Sequence, residues 1–173
     1  MKEIELKLVS ELMKNSRRSD RELSKVLRVS QPTVTRLRSR LEKEGIIKEY
    51  TMVPDFRKLG YHLLGLTFVK LKRTLATEEV DGARRRAKQA LAKSRFGIVM
   101  LERGLGLGYD GVIIAYYKDY SDYADHKKVL AAYSFLEISD MEGFLISLDD
   151  EVHYRPLTLN SLATLLGSIG NQP

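Results

Sequence analysis

The stretch from residue 19 to residue 47 concentrates side chains that can bind phosphates and read base edges. Ser19 and Glu22 have the S-x-x-E spacing of a capping box, which starts a first short helix. Ser30 is a suitable N-cap for a second helix, and Gly45 is a suitable stop after it. At 100° per residue, one arc of the second helix is apolar and the other carries arginine, threonine and serine. This pattern predicts a helix that lies against nucleic acid.

The residues predicted to contact nucleic acid lie on that outward arc and on the helix and turn before it. They are Arg17, Arg18, Lys25, Arg28, Ser30, Gln31, Thr33, Thr35, Arg36, Arg38, Ser39, Arg40 and Lys43. The candidates for backbone phosphate contacts are Arg17, Arg18, Lys25 and Arg28, and those facing the groove are Thr35, Arg36 and Ser39.

The positive charge of the chain is confined to its first third. Residues 1–60 contain 15 Lys and Arg against 9 Asp and Glu, and residues 61–173 contain 14 of each kind. The whole net charge of +6 therefore belongs to the segment with the two capped helices. Such a division is typical of a polyanion reader joined to a neutral sensing or assembly part. A solvated helix face is the alternative, but it leaves the arrangement of caps, stop and arginines unexplained.

Apolar periodicity ahead of the capped pair predicts one more helix, which completes a three-helix unit. Ile4, Leu8 and Leu12 recur on one face of this first helix. Residues 46–58 are richer in β-branched and aromatic side chains. We interpret them as a short strand that leads into a linker.

Three segments of the sequence resemble the Lrp/AsnC (feast/famine) family of transcriptional regulators. They are SDRELSKVLRVS, VTRLRSRLEKEGIIKEYT and DFRKLGY, and the resemblance covers residues 2 to about 72. GIIKEYT followed by LGY distinguishes this family from other winged-helix families. Arg28 stands where the family usually has Gly in the inter-helix turn, so we expect it either to adopt an unusual turn conformation or to change the turn. Leu37 followed by Arg38 reverses the family's usual order of a basic and then an apolar residue.

The second half of the chain alternates strand and helix signals in the order β-α-β-β-α-β. Leu64, Leu66 and Phe68 alternate with residues that are also apolar or β-branched, which predicts a strand covered on both faces. The predicted helices are 78–93 and 119–132, and the later strands are 97–102, 112–117 and 143–148. This order is that of the ferredoxin-like, or split βαβ, unit. The resemblance implies that it is a regulatory domain that dimerises and often assembles further.

The glycine-rich turn between two of these strands is the candidate effector site. GLGYDG is similar to the family's Gly-x-Tyr-Asp turn, but its glycine is at position 108 rather than 107. The candidate effector contacts are Gly106, Gly108, Tyr109 and Asp110. Backbone amides at these glycines could approach a carboxylate, and a plain hairpin with positive φ angles is the alternative.

The sequence predicts no catalytic site, metal site or cofactor. His62, His126 and His153 lie on different elements without metal-ligand spacing, and there is no Cys. P-loop and nucleophile-elbow motifs are absent. No apolar run approaches 18 residues and no apolar leader precedes the first helix, so we expect a cytoplasmic protein without membrane contact.

The last residues extend beyond the expected regulatory domain and predict one more helix. Pro156 can begin this helix, and Gly167 and Gly170 can end it. Its apolar stripe would consist of Leu159, Leu162, Leu166 and Ile169. We expect this stripe to pack on its own sheet or to cross to a partner subunit.

We therefore interpret the chain as an α+β protein with an N-terminal winged helix-turn-helix, a ferredoxin-like βαββαβ regulatory and dimerisation domain and an extra C-terminal helix. The predicted regions are 1–50 (DNA-binding domain), 51–62 (strand and linker), 63–150 (regulatory and oligomerisation domain) and 151–173 (helical extension).

The expected function is sequence-specific regulation of transcription by binding double-stranded DNA as a homodimer or higher homo-oligomer. The resemblance implies modulation by an amino acid or another small effector. One alternative is an enzyme subunit of the tetrapyrrole-decarboxylase type, because some of those enzymes are similar to Lrp/AsnC proteins in fold. Another is a sensing or assembly protein with a vestigial reader. The intact basic face favours the regulator.

Overall fold

The computed structural model describes residues 1–72, 77–152 and 157–169. The chain forms two compact units. The first combines residues 1–54 with the C-terminal helix, and the second comprises residues 55–152.

The first unit is built on three helices around a small apolar core. They are α1 (Glu3–Lys14), α2 (Asp20–Leu27) and α3 (Gln31–Lys43). The core side chains are Leu8, Leu12, Leu23, Val34 and Leu41, all fully or almost fully buried. They recur at helical spacing on the inner face of each helix, as the periodicity predicts.

The predicted caps and stops of these helices are present. The Ser19 amide donates to the Glu22 carboxylate at 2.7 Å, and the Glu22 amide donates to the Ser19 hydroxyl at 3.3 Å. Ser30 caps α3 by accepting from the Thr33 amide. Gly45, just after α3, has φ +70°. Arg28 ends α2 in the left-handed region with φ 54°, which confirms the unusual turn expected where the family has Gly.

The strand predicted within residues 46–58 is not formed, and this expectation was wrong. A strand needs a neighbouring strand to satisfy its backbone groups, and none pairs with this segment in the described part of the chain. Side-chain bonds hold it instead: the Tyr50 hydroxyl donates to Glu42 at 2.7 Å, and Ser16 donates to the Thr51 carbonyl at 3.1 Å. A short 3-10 helix follows over Arg57–Leu59.

The C-terminal helix α6 (Asn160–Ile169) packs against α1. The contact is made by small residues: Ala163 is fully buried, and its carbonyl accepts a 2.7 Å hydrogen bond from the buried Ser10 hydroxyl. A Cβ added at Gly167 would lie 3.1 Å from the same hydroxyl oxygen. The close approach of the two helices therefore depends on the small side chains at these positions.

The predicted leucine stripe of this helix does not form its buried face. Leu159 and Leu162 are about half exposed, at 49% and 48%, because the helix turns Ala163 and Gly167 inward. The helix lies on α1 rather than on the sheet, and Gly167 is inside the helix instead of ending it. Pro156 and Gly170 lie outside the described residues, and so does the side chain of Ile169.

The second unit is a four-stranded antiparallel sheet with two helices, in the predicted order β-α-β-β-α-β. Its elements are β1 (Leu63–Leu71), α4 (Thr77–Ala92), β2 (Gly97–Gly106), β3 (Tyr109–Tyr117), α5 (Tyr120–Ala132) and β4 (Ile138–Ser147). The strand order across the sheet is β2-β3-β1-β4, so β1 and β3 are central. β2 and β3 are longer than predicted, because they continue as a hairpin through the glycine-rich segment. The fold class inferred from the sequence is confirmed.

Residues of β1 point alternately to a helix-covered face and to an open face of the sheet. Thr67, 1% exposed, lies on the covered face, opposite Gly143 of β4. A Cβ at Gly143 would overlap the hydroxyl of Tyr123, so only glycine lets α5 come this close.

The buried polar cluster under α5 is centred on His126. The Tyr117 hydroxyl lies 2.7 Å from Nδ1 of His126, and the imidazole stacks on the ring of Phe96 with centroids 4.3 Å apart. Burial lowers the pKa of His126 to about 4, so the ring is neutral at pH 7. His126 therefore serves the core as a hydrogen-bonding aromatic residue.

The open face of the sheet is apolar. It consists of Met100 on β2, Val112 and Ile114 on β3, Leu64, Leu66 and Phe68 on β1, and Phe144 and Ile146 on β4. Phe144 is 63% exposed and Ile146 39% exposed. Phe56 stacks on Tyr116 at 3.7 Å and covers one corner of this side of the sheet. Most of the remaining face has no cover within the described residues.

The close contact between α6 and α1 predicts different effects on stability for the same substitution at two helical glycines. Gly82→Ala should raise the free energy of unfolding by about 0.5 to 1 kcal/mol, because its Cβ meets only Arg86 at 3.5 Å. Gly167→Ala should gain less or lose stability, and Gly167→Leu should lose about 1 to 3 kcal/mol by overpacking. Urea unfolding, with hydrogen exchange of the α6 amides, measures this. A Gly167→Leu protein as stable as the original would contradict the close contact.

Candidate nucleic-acid interface

The cations predicted from the sequence to bind nucleic acid fall into two groups. Arg18, Arg38 and Arg40 form ion pairs with carboxylates of neighbouring helices. Arg17, Lys25, Arg28, Arg36 and Lys43 are exposed and have no carboxylate partner in the described part of the chain. The first group holds the helices together, and the second carries the uncompensated charge of the unit.

Arg38 connects α3 to the start of α2 and to the residues just before it. Its guanidinium lies 2.9 Å from Oδ1 of Asp20, the first residue of α2, and donates to the Arg18 carbonyl at 3.0 Å. It also lies 5.8 Å from the centroid of the Tyr50 ring. The side chains of Arg38 and Asp20 are only 22% and 20% exposed, so this pair is partly shielded from solvent.

Tyr50 is held in turn by its environment. Burial and the hydrogen bond to Glu42 raise the pKa of Tyr50 to about 12, so its hydroxyl keeps its proton and continues to donate. Arg38 thus lies between the start of α2 and the segment after α3.

Arg40 and Arg18 tie α3 and the α1–α2 connection to helix α1. Arg40 pairs with Glu5, which is only 6% exposed, and Arg18 pairs with Glu11. The hydrogen bond from the Lys2 backbone amide and, to a smaller extent, the charge of Arg40 hold the pKa of the Glu5 carboxyl below its usual range. Arg40 is thereby directed toward α1.

The hydroxyl residues of α3 divide in the same way. Ser30 and Thr33 bond to each other at 2.8 Å in the cap of the helix. Thr35 donates to the Asp20 carboxylate at 2.6 Å while its side chain stays exposed. Ser39 and Gln31 are exposed on the same surface. The exposed surface of α3 therefore carries Gln31, Thr35, Arg36, Ser39 and Lys43 together.

Two exposed cations, Arg21 and Lys48, extend this surface beyond the residues predicted from the sequence. Arg21 precedes Lys25 by four residues and Arg28 by seven, so the three follow one face of α2 and its turn. Lys48 is exposed just after α3. The i, i+4, i+7 spacing of the basic residues on α2 was a signal available in the sequence.

The candidate effector turn is a tight hairpin whose polar side chains are engaged. Leu107 and Gly108 have φ 54° and 77°, so the leucine takes the left-handed position that the shifted glycine leaves. The Asp110 carboxylate accepts from the Leu71 amide at 2.8 Å. Burial, followed by the hydrogen bond to Glu142, raises the pKa of Tyr109 to about 12. Only backbone groups at Gly106 and Gly108 are left to meet a ligand there.

Within residues 1–72, 77–152 and 157–169, no cluster of His, Asp and Glu has the arrangement of a metal site. Among the helices of these same ranges, none has both the length and the apolarity needed to cross a membrane.

Comparison with known proteins gives this surface its class. Residues 1–48 match the family model described as winged helix-turn-helix DNA-binding. The transcriptional regulator LrpC of Bacillus subtilis is 47% identical over 58 residues, which cover 34% of this chain and 40% of LrpC. The chain spans about half the length of the curated relatives it matches.

Solved structures share the fold over nearly their whole length. The structure of B. subtilis LrpC has a TM-score of 0.67 at 24% identity and covers 88% of this chain and 96% of its own. An AsnC family regulator from Agrobacterium tumefaciens has a TM-score of 0.70 at 17% identity, with coverages of 94% and 99%. A regulator of Neisseria meningitidis in complex with L-Met has a TM-score of 0.68 at 20% identity, with coverages of 94% and 99%.

The protein is thus a helix-turn-helix protein with a ferredoxin-like second unit. Its N-terminal segment matches a winged helix-turn-helix DNA-binding model, and its fold is that of Lrp/AsnC regulators of known structure.

The two groups of cations predict different consequences for the same substitution on α3. Arg38→Gln should lower the free energy of unfolding by about 1 to 2 kcal/mol, because it leaves the shielded Asp20 carboxylate without its cation. Arg36→Gln should change it by less than about 0.5 kcal/mol, since Arg36 is exposed and unpaired with any carboxylate. Urea unfolding of both variants checks this, and equal losses would show that Arg38 is not a tether.

Proposed function

We propose that the protein is a transcription regulator that binds double-stranded DNA through α3 and the preceding turn. The observation that carries the proposal is the exposed, uncompensated positive surface formed by Arg17, Lys25, Arg28, Arg36 and Lys43. Phosphates are the complementary partner of such a surface. The ion pairs that hold α3 to its neighbours leave this surface free.

The contacts divide by position. Arg17, Lys25 and Arg28 lie on α2 and in the turns beside it, and we propose that they contact phosphates and fix the register. Arg36, Thr35 and Ser39 lie on the exposed side of α3, and we propose that they meet base edges in the major groove. Arg18, Arg38 and Arg40 act mainly by holding α3 in place.

An enzyme of the tetrapyrrole-decarboxylase type is the weaker proposal. The buried histidine of the second unit, His126, is engaged by Tyr117 and Phe96 in the core. The positive surface of α3 has no role in such an enzyme. The regulator proposal accounts for both units.

We further propose that two chains pair through the open face of the sheet. Across one row, Met100, Ile114, Leu66 and Phe144 lie side by side. Covering an apolar face of this kind stabilises a dimer by about 25 cal/mol for each Å² of apolar surface removed from water. A second copy related by a two-fold axis would cover it with an identical surface and present two DNA-binding units.

An amino-acid effector is a third proposal, suggested by the Neisseria relative solved with L-Met. The candidate contacts in this chain are Gly106, Gly108, Tyr109 and Asp110. Because both side chains are engaged within the sheet, a bound carboxylate would meet the backbone amides of the turn.

DNA binding through this surface should depend strongly on salt. If a dimer neutralises about 6 to 10 phosphates, the slope of log affinity against log salt is about −5 to −9. Lys25→Ala should make the slope less steep by about one unit per chain and should weaken binding to all duplexes alike. Lys118→Ala, an exposed cation of the second unit, is the control and should change neither. Fluorescence anisotropy over a salt series measures this, and an affinity independent of salt would refute the proposal.

Pairing through the open face predicts that a charge at Phe144 separates the subunits. Phe144→Glu should shift the protein toward monomer, because it places a carboxylate in the proposed apolar interface. Tyr120→Glu is the matched control, since Tyr120 is a similarly exposed aromatic residue (67% against 63%) at the start of α5. Sedimentation velocity distinguishes the variants. An unchanged oligomer for Phe144→Glu would contradict this interface.

A further inference from the structure

Thr35 lies on the exposed side of α3, but its hydroxyl proton is already committed within the protein. Its Oγ1 lies 2.6 Å from Oδ2 of Asp20 and 3.2 Å from the carbonyl oxygen of Gln31. Both of these oxygens can only accept, so Oγ1 must be the donor in either contact. A hydroxyl has a single proton, and this one points into the protein whichever acceptor takes it.

The other oxygen of the Asp20 carboxylate faces Arg38. Its Oδ1 lies 2.9 Å from the guanidinium of Arg38, whose nitrogens can only donate. Asp20 is the first residue of α2, so its backbone belongs to a different helix from Thr35. Thr35 therefore donates a hydrogen bond to one oxygen, and the other oxygen forms an ion pair with Arg38 without a hydrogen bond of its own.

We propose that Asp20 is a positioning residue that makes Thr35 an acceptor-only reader of DNA bases. With its proton held by Asp20, Oγ1 offers only lone pairs to the groove. In the major groove, adenine N6 and cytosine N4 donate, whereas guanine O6 and N7 and thymine O4 accept. Thr35 should therefore favour an adenine or cytosine at one position and disfavour an acceptor edge there. This inference rests on the proposed DNA binding and deepens it.

Asp20→Asn tests the chemistry with almost no change of shape. The positive charge of Arg38 favours the amide oxygen on its side, which turns the NH₂ group toward Thr35. Oγ1 then accepts from Asn, which occupies one of its lone pairs, and its own proton goes either to the Gln31 carbonyl 3.2 Å away or to the groove. The base preference at that position should relax or shift toward guanine or thymine.

Two substitutions of Thr35 complete the series. Thr35→Val keeps the shape but removes the lone pairs, so most of the preference at that one position should disappear. Thr35→Ser keeps the hydroxyl, which can still donate to Asp20, and should retain the preference. The discrimination expected for one base contact is roughly 5- to 100-fold.

The measurement is selection of bound duplexes from a randomised pool, followed by affinities on duplexes that differ at the one position. The ratio of one variant's affinities for two duplexes does not depend on how much of the variant is folded. The loss of the Asp20 charge strengthens binding to all duplexes alike, so it leaves this ratio unchanged. Such ratios therefore isolate the base preference from stability and from non-specific electrostatics. Thr35→Val also tests the idea without disturbing the Asp20–Arg38 pair.

The inference is supported if Thr35→Val and Asp20→Asn alter the same position, and the original protein prefers adenine or cytosine there. It is overturned if that position prefers guanine or thymine, or if neither variant changes any preference while the original protein still selects a site. A protein that enriches no duplex at all would overturn the proposed function, and this inference with it.

Discussion

The arrangement of the DNA-binding unit depends on how α3 divides its positive charge. A helix that is to lie on DNA must be basic, yet a basic helix repels neighbouring cations and must still be held by the rest of the unit. Arg38 and Arg40 point to carboxylates on α2 and α1, whereas Arg36 and Lys43 remain exposed. Because the Arg38–Asp20 ion pair is partly shielded from water, it fixes the helix more firmly than a surface ion pair would.

The same division explains why the local sequence predicts the helices better than it predicts the role of each arginine. Ser19, Ser30 and Gly45 act within their own turns, so their spacing alone defines where helices begin and end. Arg38 was predicted to contact DNA because it lies next to the outward arc. Its pairing with Asp20 depends on how α2 crosses α3, which periodicity along one helix does not contain.

Hydrophobic periodicity also fails where close packing matters more than apolar area. In α6 the leucines attract attention, yet Ala163 and Gly167 face α1, because small side chains allow the helix to approach the Ser10 hydroxyl. The strand expected within residues 46–58 failed for a different reason. Its β-branched residues favour an extended backbone, but a strand exists only with a partner, and hydrogen bonds from Ser16 and to Glu42 hold the segment instead.

The two faces of the sheet show how small residues direct what large residues do. Gly143 and Thr67 lie opposite each other on the covered face, and their small size lets Tyr123 of α5 pack directly on the strands. The alternation of a strand then places the large neighbours Phe144 and Leu66 on the opposite side. Leu63 and Leu145 already lie with Tyr123 on the covered face, so the alternation leaves Leu66 and Phe144 no place beneath α5. The alternation that places small residues under α5 therefore also leaves large apolar residues on the open face. This apolar face is what we propose a second copy of the chain covers.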